Sequence, residues 1–146
     1  MTLTLDYLRY LWAQVRQSWA KRAKPGHPIP PDALQLILLL VPKDASILCL
    51  GARNRSEPDA WRAEGYSNVV AVDLLPSRGV RFADIHRLPF DDATFDLIQA
   101  SHTLEHAYDP GLAVKEIVRV LRRPSGLLYA AWPTGPAFVR SEHDRH

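Results

Sequence analysis

Short apolar runs that alternate with helical patterns constrain the fold of this chain most strongly. Each run is apolar on consecutive residues rather than on every second one, which is typical of strands buried on both faces. Helical patterns separate several of the runs, and strands that alternate with helices favour a parallel sheet. The sequence therefore predicts an α/β fold with about five mostly parallel strands, at residues 46–51, 69–73, 80–85, 95–100 and 127–132.

The first thirty residues form a separate unit in this interpretation. Residues 24–31 contain four prolines, which exclude helix and strand there and predict a linker. We therefore divide the chain into an N-terminal helix with linker at 1–30 and a domain at 31–146. Apolar side chains at helical spacing over residues 3–22 predict an amphipathic helix that docks through this stripe: Leu5, Leu8, Trp12, Val15 and Trp19.

Three further helices are predicted from start and stop signals. The first begins at Pro31 and ends before Pro42, and its apolar end predicts burial on all sides. The second is predicted to be capped by Ser56 and to end near Gly65. The third begins at Asp109-Pro110 and is ended by Pro124.

Composition and charge limit the classes of function. The chain has 146 residues, of which 47% are hydrophobic and 23% charged, which predicts one domain with a hydrophobic core. A net charge of +2 does not indicate a nucleic-acid partner. Residues 1–24 carry five basic residues and one acidic residue. We favour docking of residues 3–22 on the domain. Contact of the same residues with a membrane surface is the alternative.

Cysteine use and hydropathy indicate a compartment. Cys49 is the single cysteine, so no disulfide forms within the chain. The longest apolar run, 36–41, is far shorter than the ~20 residues that span a bilayer. The N-terminal pattern also differs from a secretory signal. We therefore expect a cytoplasmic protein.

The residues that follow the predicted strands are the candidate site. Ligands of parallel α/β sheets bind outside the carboxyl ends of the strands, where the strand order reverses. Gly51 ends the first run, and a glycine there lets the backbone approach a ligand closely. Asp73 ends the second run, and its carboxylate is suited to accept hydrogen bonds from ribose hydroxyls. Asp84 lies at the end of the third run, and Ser101-His102 follow the fourth.

The spacing and the amino-acid sequences of these segments resemble those of a known family. The resemblance rests on Ile47–Gly51, Val69–Asp73, the Leu-Pro-Phe-Asp stretch at 88–91 that leads into Phe-Asp-Leu-Ile at 95–98, and 101–106 with the helix after it. Over residues 44–133 the chain resembles class I methyltransferases of the type 11 family. The resemblance implies a Rossmann-like three-layer sandwich of strand order 3-2-1-4-5, with S-adenosylmethionine as cofactor. It also implies methyl transfer to an unidentified acceptor, for which a small molecule is one candidate.

The same resemblance implies a role for each residue after a strand. Gly51 and its neighbours Ala52 and Arg53 would pass under the methionine part of the cofactor, and Arg53 and Glu57 fit a Gly-x-Arg-x-Gly-x-Glu variant of the motif. The remaining roles are as follows: Asp73 binds the ribose hydroxyls, Leu74 packs on the adenine, Asp84 accepts from its amino group, Ile85 adds a backbone contact, and Ser101 and His102 lie near the sulfonium.

Several departures from the family pattern support an alternative. Cys49 stands where the family usually has an acid, and Arg53 and Arg55 stand at its glycine positions. A left-handed backbone at Arg55 would cost about 1–2 kcal/mol, and its side chain could fill the pocket. The antiparallel strand pair that usually follows strand five is also missing. The alternative is a degenerate or shortened relative that binds a ligand or protein partner without catalysis. Pairing through the strand-five edge, or through the N-terminal helix, predicts a homodimer.

His102, Glu105 and His106 allow two interpretations. Their His-x-x-Glu-His spacing is that of an inverted zinc-protease motif, but Asp109-Pro110 breaks the helix that such a site needs. We therefore predict no metal and a loop over the cofactor. Methyl transfer mainly requires alignment of its two partners, so no catalytic pair is needed, and His102 or His106 is the candidate base.

Overall fold

The structure is a computed structural model, and it describes residues 4–133. The described chain alternates helices with the strands of a single sheet. Its elements are α1 Leu5–Ala20, α2 Pro31–Leu40, β1 Ile47–Leu50, α3 Ser56–Ala63, β2 Val69–Asp73, β3 Arg81–Phe82, β4 Leu97–Ser101, a 3-10 turn Leu104–His106, α4 Pro110–Val120 and β5 Leu127–Ala131.

The five strands form one parallel sheet in the order β3-β2-β1-β4-β5. Ile47 of the central strand pairs with Val69 on one side and with Leu97 on the other. All four residues of β1 are buried, as a continuous apolar run predicts for a strand covered on both faces. The predicted Rossmann-like fold class and strand order are confirmed. The third strand is shorter than predicted, because the chain turns at Asp84–Arg87.

Helices cover both faces of the sheet. On one face, Ile37 of α2 packs with Trp61 and Tyr66, which follow the first strand. On the other face, Ile117 and Val120 of α4 are fully buried against the sheet. The predicted start of α4 is confirmed, because the Asp109 side chain accepts a hydrogen bond from Leu112 N at 2.9 Å and Pro110 opens the helix.

Two local predictions about α2 and α3 are wrong. The end of α2 is not buried, because the helix meets the sheet through one side only: Leu36, Leu39 and Leu40 are exposed. Ser56 is the first residue of α3 rather than its cap. Its hydroxyl instead accepts a hydrogen bond from Gly26 N at 2.6 Å, which ties the proline-rich linker to the start of the helix.

The N-terminal helix docks through the face opposite to the predicted one. Trp12 and Trp19 of the apolar stripe are each 67% exposed, and Leu5 and Leu8 are also exposed. The buried residues of α1 are Tyr7, Tyr10 and Gln14. The physical reason is the docking surface, because α1 lies over the polar carboxyl ends of the strands, where side chains with hydrogen-bonding groups pack better than purely apolar ones.

Two predictions about surfaces stay predictions. The outward apolar face of α1 and the edge position of β5 are both compatible with self-association, and a membrane-surface contact of α1 is likewise untested. Within residues 4–133, none of the helices has the length and apolar character required to cross a membrane.

Candidate functional site

A cleft lies at the carboxyl ends of β1, β2 and β4, beneath α1. We call it the strand-end cleft, and its volume is about 90 Å³. From the sheet side it is lined by Leu50, Gly51, Arg53, Val72, Asp73, Leu74, Ala83, Ile85, His102, Thr103 and His106. From α1 and the residue after it, the lining is Tyr10, Gln14, Gln17, Ser18 and Lys21. Six of the ten predicted cofactor-binding residues therefore line one cleft, as expected for strand ends that meet at one edge.

Asp73 is held in a fixed orientation at the end of β2. Its Oδ2 accepts a hydrogen bond from Arg53 N at 3.2 Å, and its Oδ1 accepts one from Leu75 N at 2.8 Å. The residue is 8% exposed. Because a carboxylate has about four lone-pair sites, these two bonds leave acceptor capacity toward the cleft. The geometry suits a ligand that presents paired hydroxyl donors.

Gly51 and Thr103 bring the ends of β1 and β4 close together. Gly51 has a φ of +73°, and a Cβ built on it would collide with the Thr103 side chain. The Thr103 hydroxyl donates to Leu50 O at 3.0 Å, so it holds the loop after β4 against β1. Only glycine fits this position without displacement. The role of Thr103 was missed in the sequence, where only its position shortly after a strand could have indicated it.

Backbone strain lies at Arg53 and His102 rather than at Arg55. Arg53 and His102 have φ values of +49° and +52°, the left-handed region that non-glycine residues rarely adopt, and both line the cleft. Arg55 is right-handed, with φ of −77°, so the expected strain there is wrong. Its side chain pairs with Asp59 at 3.2 Å and lies outside the lining of the cleft. Arg55 therefore does not fill the pocket.

Asp84 does not line the cleft, because its carboxylate is occupied by α1 and by its own turn. The Tyr7 hydroxyl donates to Oδ2 of Asp84. Oδ1 accepts from His86 N at 2.9 Å and lies 2.7 Å from His86 Nδ1. Burial by itself would raise the pKa of Asp84, but the hydrogen bonds from His86 and Tyr7 outweigh it and place the pKa below the ordinary range.

The hydrogen-bond partners of His86 assign its tautomer. Nε2 accepts a hydrogen bond from Asp109 N at 3.1 Å, so the ring proton sits on Nδ1 and points at Asp84. Tyr7 and Tyr10 pack edge-on against the same ring, each with a centroid distance of 5.8 Å. This cluster fixes the first two turns of α1 on the domain. Desolvation, together with the Asp84 carboxylate, raises the pKa of Tyr7 and keeps its donating proton in place.

Three other predicted cofactor-binding residues also lie outside the cleft lining. Ala52 is buried, and the buried Ser101 accepts a hydrogen bond from Gln99 at 3.0 Å. Glu57 lines a second space of about 300 Å³ between the proline-rich linker, α2 and α3, which we call the linker cavity. Glu57 is 7% exposed, and burial raises its pKa to about 7.

We expect Glu57→Gln to stabilise the protein in a pH-dependent way. Because the pKa of Glu57 is raised from an ordinary value of about 4.3, the folded state favours the protonated carboxyl, and stability is lost as the pH rises from that value through about 7. The glutamine removes the buried charge, so its advantage should be small at about pH 5 and reach about 1–3 kcal/mol at about pH 8. Urea unfolding at the two pH values measures this. An advantage that shrinks with rising pH contradicts it.

His102 and His106 both line the strand-end cleft. His102 Nδ1 lies 3.4 Å from Glu105 Oε1, and its ring packs against His27 with a centroid distance of 4.0 Å. The residues from Leu104 to His106 form a 3-10 turn shortly after the carboxyl end of β4, and α4 begins only at Pro110. Among residues 4–133, no group of three or more His, Cys, Asp or Glu side chains is arranged to hold a metal ion.

Known proteins resemble this chain in sequence or in fold. A segment of 62 residues is 41% identical to a 37.1 kDa protein of transposon TN4556 in Streptomyces fradiae, and covers 42% of this chain and 18% of that protein. The fold is similar to an S-adenosylmethionine-dependent methyltransferase of Methanosarcina mazei, with a TM-score of 0.58, 22% identity, and 71% and 57% of the two chains covered. It is also similar to the [4+2]-cyclase SpnF, with a TM-score of 0.54, 18% identity, and 86% and 58% covered.

These relatives are longer than this chain, which spans little more than half of either solved structure. At these identities the two structures show the fold alone. The family model, described as a methyltransferase domain, matches residues 48–130, which reach from β1 to β5 and include the predicted site residues from Gly51 to His106. With more than half of its residues matched by that model, the chain belongs to the methyltransferase domain family.

Proposed function

We propose that the protein binds S-adenosylmethionine in the strand-end cleft and transfers its methyl group to an acceptor molecule. The observation that carries this proposal is the oriented Asp73 carboxylate at the end of β2, beside the left-handed Gly51 at the end of β1. The family generally binds this cofactor. When bound, the cofactor supplies a methyl carbon that is already activated by its sulfonium.

The residues of the cleft fit the parts of such a cofactor. Asp73 would accept hydrogen bonds from both ribose hydroxyls. Leu74 and Ile85 supply apolar walls for the adenine ring. Arg53 and Lys21 supply cations for the methionine carboxylate. Side chains already in the cleft would thus suit both the nucleoside part and the amino-acid part of the cofactor.

We also propose that α1 moves when the cofactor enters. The volume of the cleft, about 90 Å³, is well below the ~300 Å³ at which small-molecule pockets begin. Five residues of the lining come from α1 and the residue after it, so this helix sets the size of the space. The same helix holds Asp84 through Tyr7. Displacing α1 enlarges the cleft and frees the carboxylate that the family uses for the adenine amino group.

The protein's part in the reaction is mainly alignment. Methyl transfer is an in-line displacement, and holding two partners in line supplies much of the rate. His102, just before the 3-10 turn, and His106, within it, both line the cleft, and either would be the base that accepts a proton from an acceptor. Likeness of fold does not fix the reaction, since SpnF shares it and is a cyclase. Binding without catalysis is the weaker alternative, because one feature that favoured it, an Arg55 side chain filling the pocket, is not found: Arg55 pairs with Asp59 outside the cleft lining.

Thermal unfolding in the presence of S-adenosylhomocysteine, the cofactor product of methyl transfer, tests this proposal. A ligand that binds only the folded state raises the melting temperature. We expect S-adenosylhomocysteine at about 1 mM to raise the melting temperature by several degrees. ATP at the same concentration is the control, because it shares the adenosine but carries a triphosphate in place of the amino acid whose carboxylate Arg53 and Lys21 would bind. An equal shift with ATP, or no shift with S-adenosylhomocysteine, contradicts the proposal.

A further inference from the structure

The linker cavity is distinct from the strand-end cleft, and within the described part of the chain no residue lines both. Its volume of about 300 Å³ is large enough for a small organic molecule. Ile29, Leu34 and Trp61 are among the residues that line it. Most of its surface is therefore apolar, and the linker residues 26–29 cover it.

One polar atom in this cavity has no partner. Oε2 of Glu57 is buried and has no hydrogen-bond partner among the described residues. The carboxylate accepts a hydrogen bond from the backbone of His27, and the Gly26 backbone passes so close that a Cβ there would lie 2.6 Å from Glu57 Cγ. The carboxylate is thus held in place while one of its oxygens remains unsatisfied. A buried acceptor without a donor is costly, which makes it a ligand site when a donor arrives.

The other buried polar groups of the cavity are satisfied. Gln99 accepts from Trp61 Nε1 at 2.6 Å through Oε1 and donates to Ser101 through Nε2. Among residues 4–133, no lysine or arginine lines the cavity, whereas Glu57 and the exposed Glu64 both do. Burial lowers the pKa of His27, which favours its neutral form. Above the pKa of Glu57, the lining formed by the described residues thus carries negative charge and lacks a side-chain cation.

We propose that the linker cavity binds a small organic amine as its ammonium ion. An N–H of the ammonium donates to Oε2 of Glu57, and the apolar part of the molecule packs against Ile29, Leu34 and Trp61. A charged hydrogen bond of this kind is stronger than a neutral one, so the ammonium is favoured over an alcohol of equal shape. The charged groups that act on Glu57 are Arg53 and Asp73 from the neighbouring cleft, with opposite effects.

Fluorine NMR of cofactor-free protein labelled with 5-fluorotryptophan tests this site at about pH 8, where Glu57 is ionised. The Trp61 resonance is identified with Trp61→Phe, and benzylamine is the probe, with benzyl alcohol as its isostere. We expect benzylamine to shift the Trp61 resonance with a Kd of about 1 mM or lower. Benzyl alcohol should bind at least about 10-fold more weakly. Equal affinity for the two, or no shift at about 10 mM benzylamine, overturns the proposal.

Two matched variants locate the contact. Glu57→Gln should weaken benzylamine binding at least about 10-fold while leaving benzyl alcohol unaffected. Glu64→Gln removes an exposed carboxylate from the same lining and should change the affinity less than about 3-fold. Glu57→Gln is expected to fold, and its melting curve is the check. Retained amine binding in that folded variant overturns the proposal. The experiment needs no S-adenosylmethionine, so its outcome is separate from that of the proposed methyl transfer.

Discussion

Replacement of Asp73 by alanine should reduce the affinity for S-adenosylmethionine by at least about 100-fold. The expectation follows from two hydrogen bonds between one carboxylate and two ribose hydroxyls, each worth about 1.5–3 kcal/mol when the acceptor is charged. The carboxylate is also the partner of Arg53 N and Leu75 N, so alanine loosens the loop that shapes the methionine end of the cleft. Equilibrium dialysis with methyl-labelled cofactor measures the loss.

Two further variants separate binding from folding. Asp73→Asn keeps the shape and a carbonyl acceptor but loses the charge, so its affinity should fall by roughly 10-fold and lie between the wild type and the alanine variant. Asp44→Ala removes an exposed acid in the turn before β1 and should bind like the wild type. Wild-type affinity in Asp73→Ala, with an unchanged circular dichroism spectrum, would show that Asp73 is not a cofactor residue.

Tyr7→Phe should make the protein less stable and the cofactor affinity higher. Loss of the hydroxyl that donates to Asp84 removes a hydrogen bond to a charged group and should lower the free energy of unfolding by about 1–2 kcal/mol. If α1 must release Asp84 before adenine binds, the same change should lower the Kd for S-adenosylmethionine by several-fold, up to about 10-fold. Urea unfolding and calorimetric titration give the two numbers, and hydrogen exchange should show faster exchange in α1 with little change in β1.

The opposite signs make this prediction discriminating. Tyr129→Phe on the edge strand is the matched control and should change neither quantity appreciably. Because hydrogen bonds keep the pKa of Asp84 below the ordinary value of about 3.9, the Tyr7 contribution is present at neutral pH and is lost as the pH falls below that value. A Tyr7→Phe protein that binds the cofactor more weakly would mean that α1 stays docked and that Asp84 does not contact adenine.

The sheet could be predicted from the sequence because its signals are local. Continuous apolar runs are sufficient for strands buried on both faces, and a glycine or an acid at the end of a run marks the edge where ligands bind. Gly51, Arg53 and Asp73 therefore met in one cleft as predicted. The resemblance to methyltransferases added the strand order, which no local pattern contains.

The parts that failed depend on what each element packs against. The stripe of α1 that includes Trp12 and Trp19 has the strongest apolar periodicity, yet α1 docks on polar strand ends and presents Tyr7 and Gln14 instead. The hydrogen bond from the Tyr7 hydroxyl to Asp84 joins residues 77 positions apart, and no local sequence pattern indicates it. The location of Glu57 in a separate cavity likewise depends on where the linker crosses α3.

Calorimetric titration of the wild-type protein with S-adenosylmethionine is the most direct test of the central claim. The oriented Asp73 carboxylate and the fit of the surrounding side chains predict a single site with a Kd in the micromolar range, equivalent to about −8 kcal/mol. No heat at about millimolar cofactor, from protein that melts cooperatively, would contradict the claim that the strand-end cleft is a cofactor site.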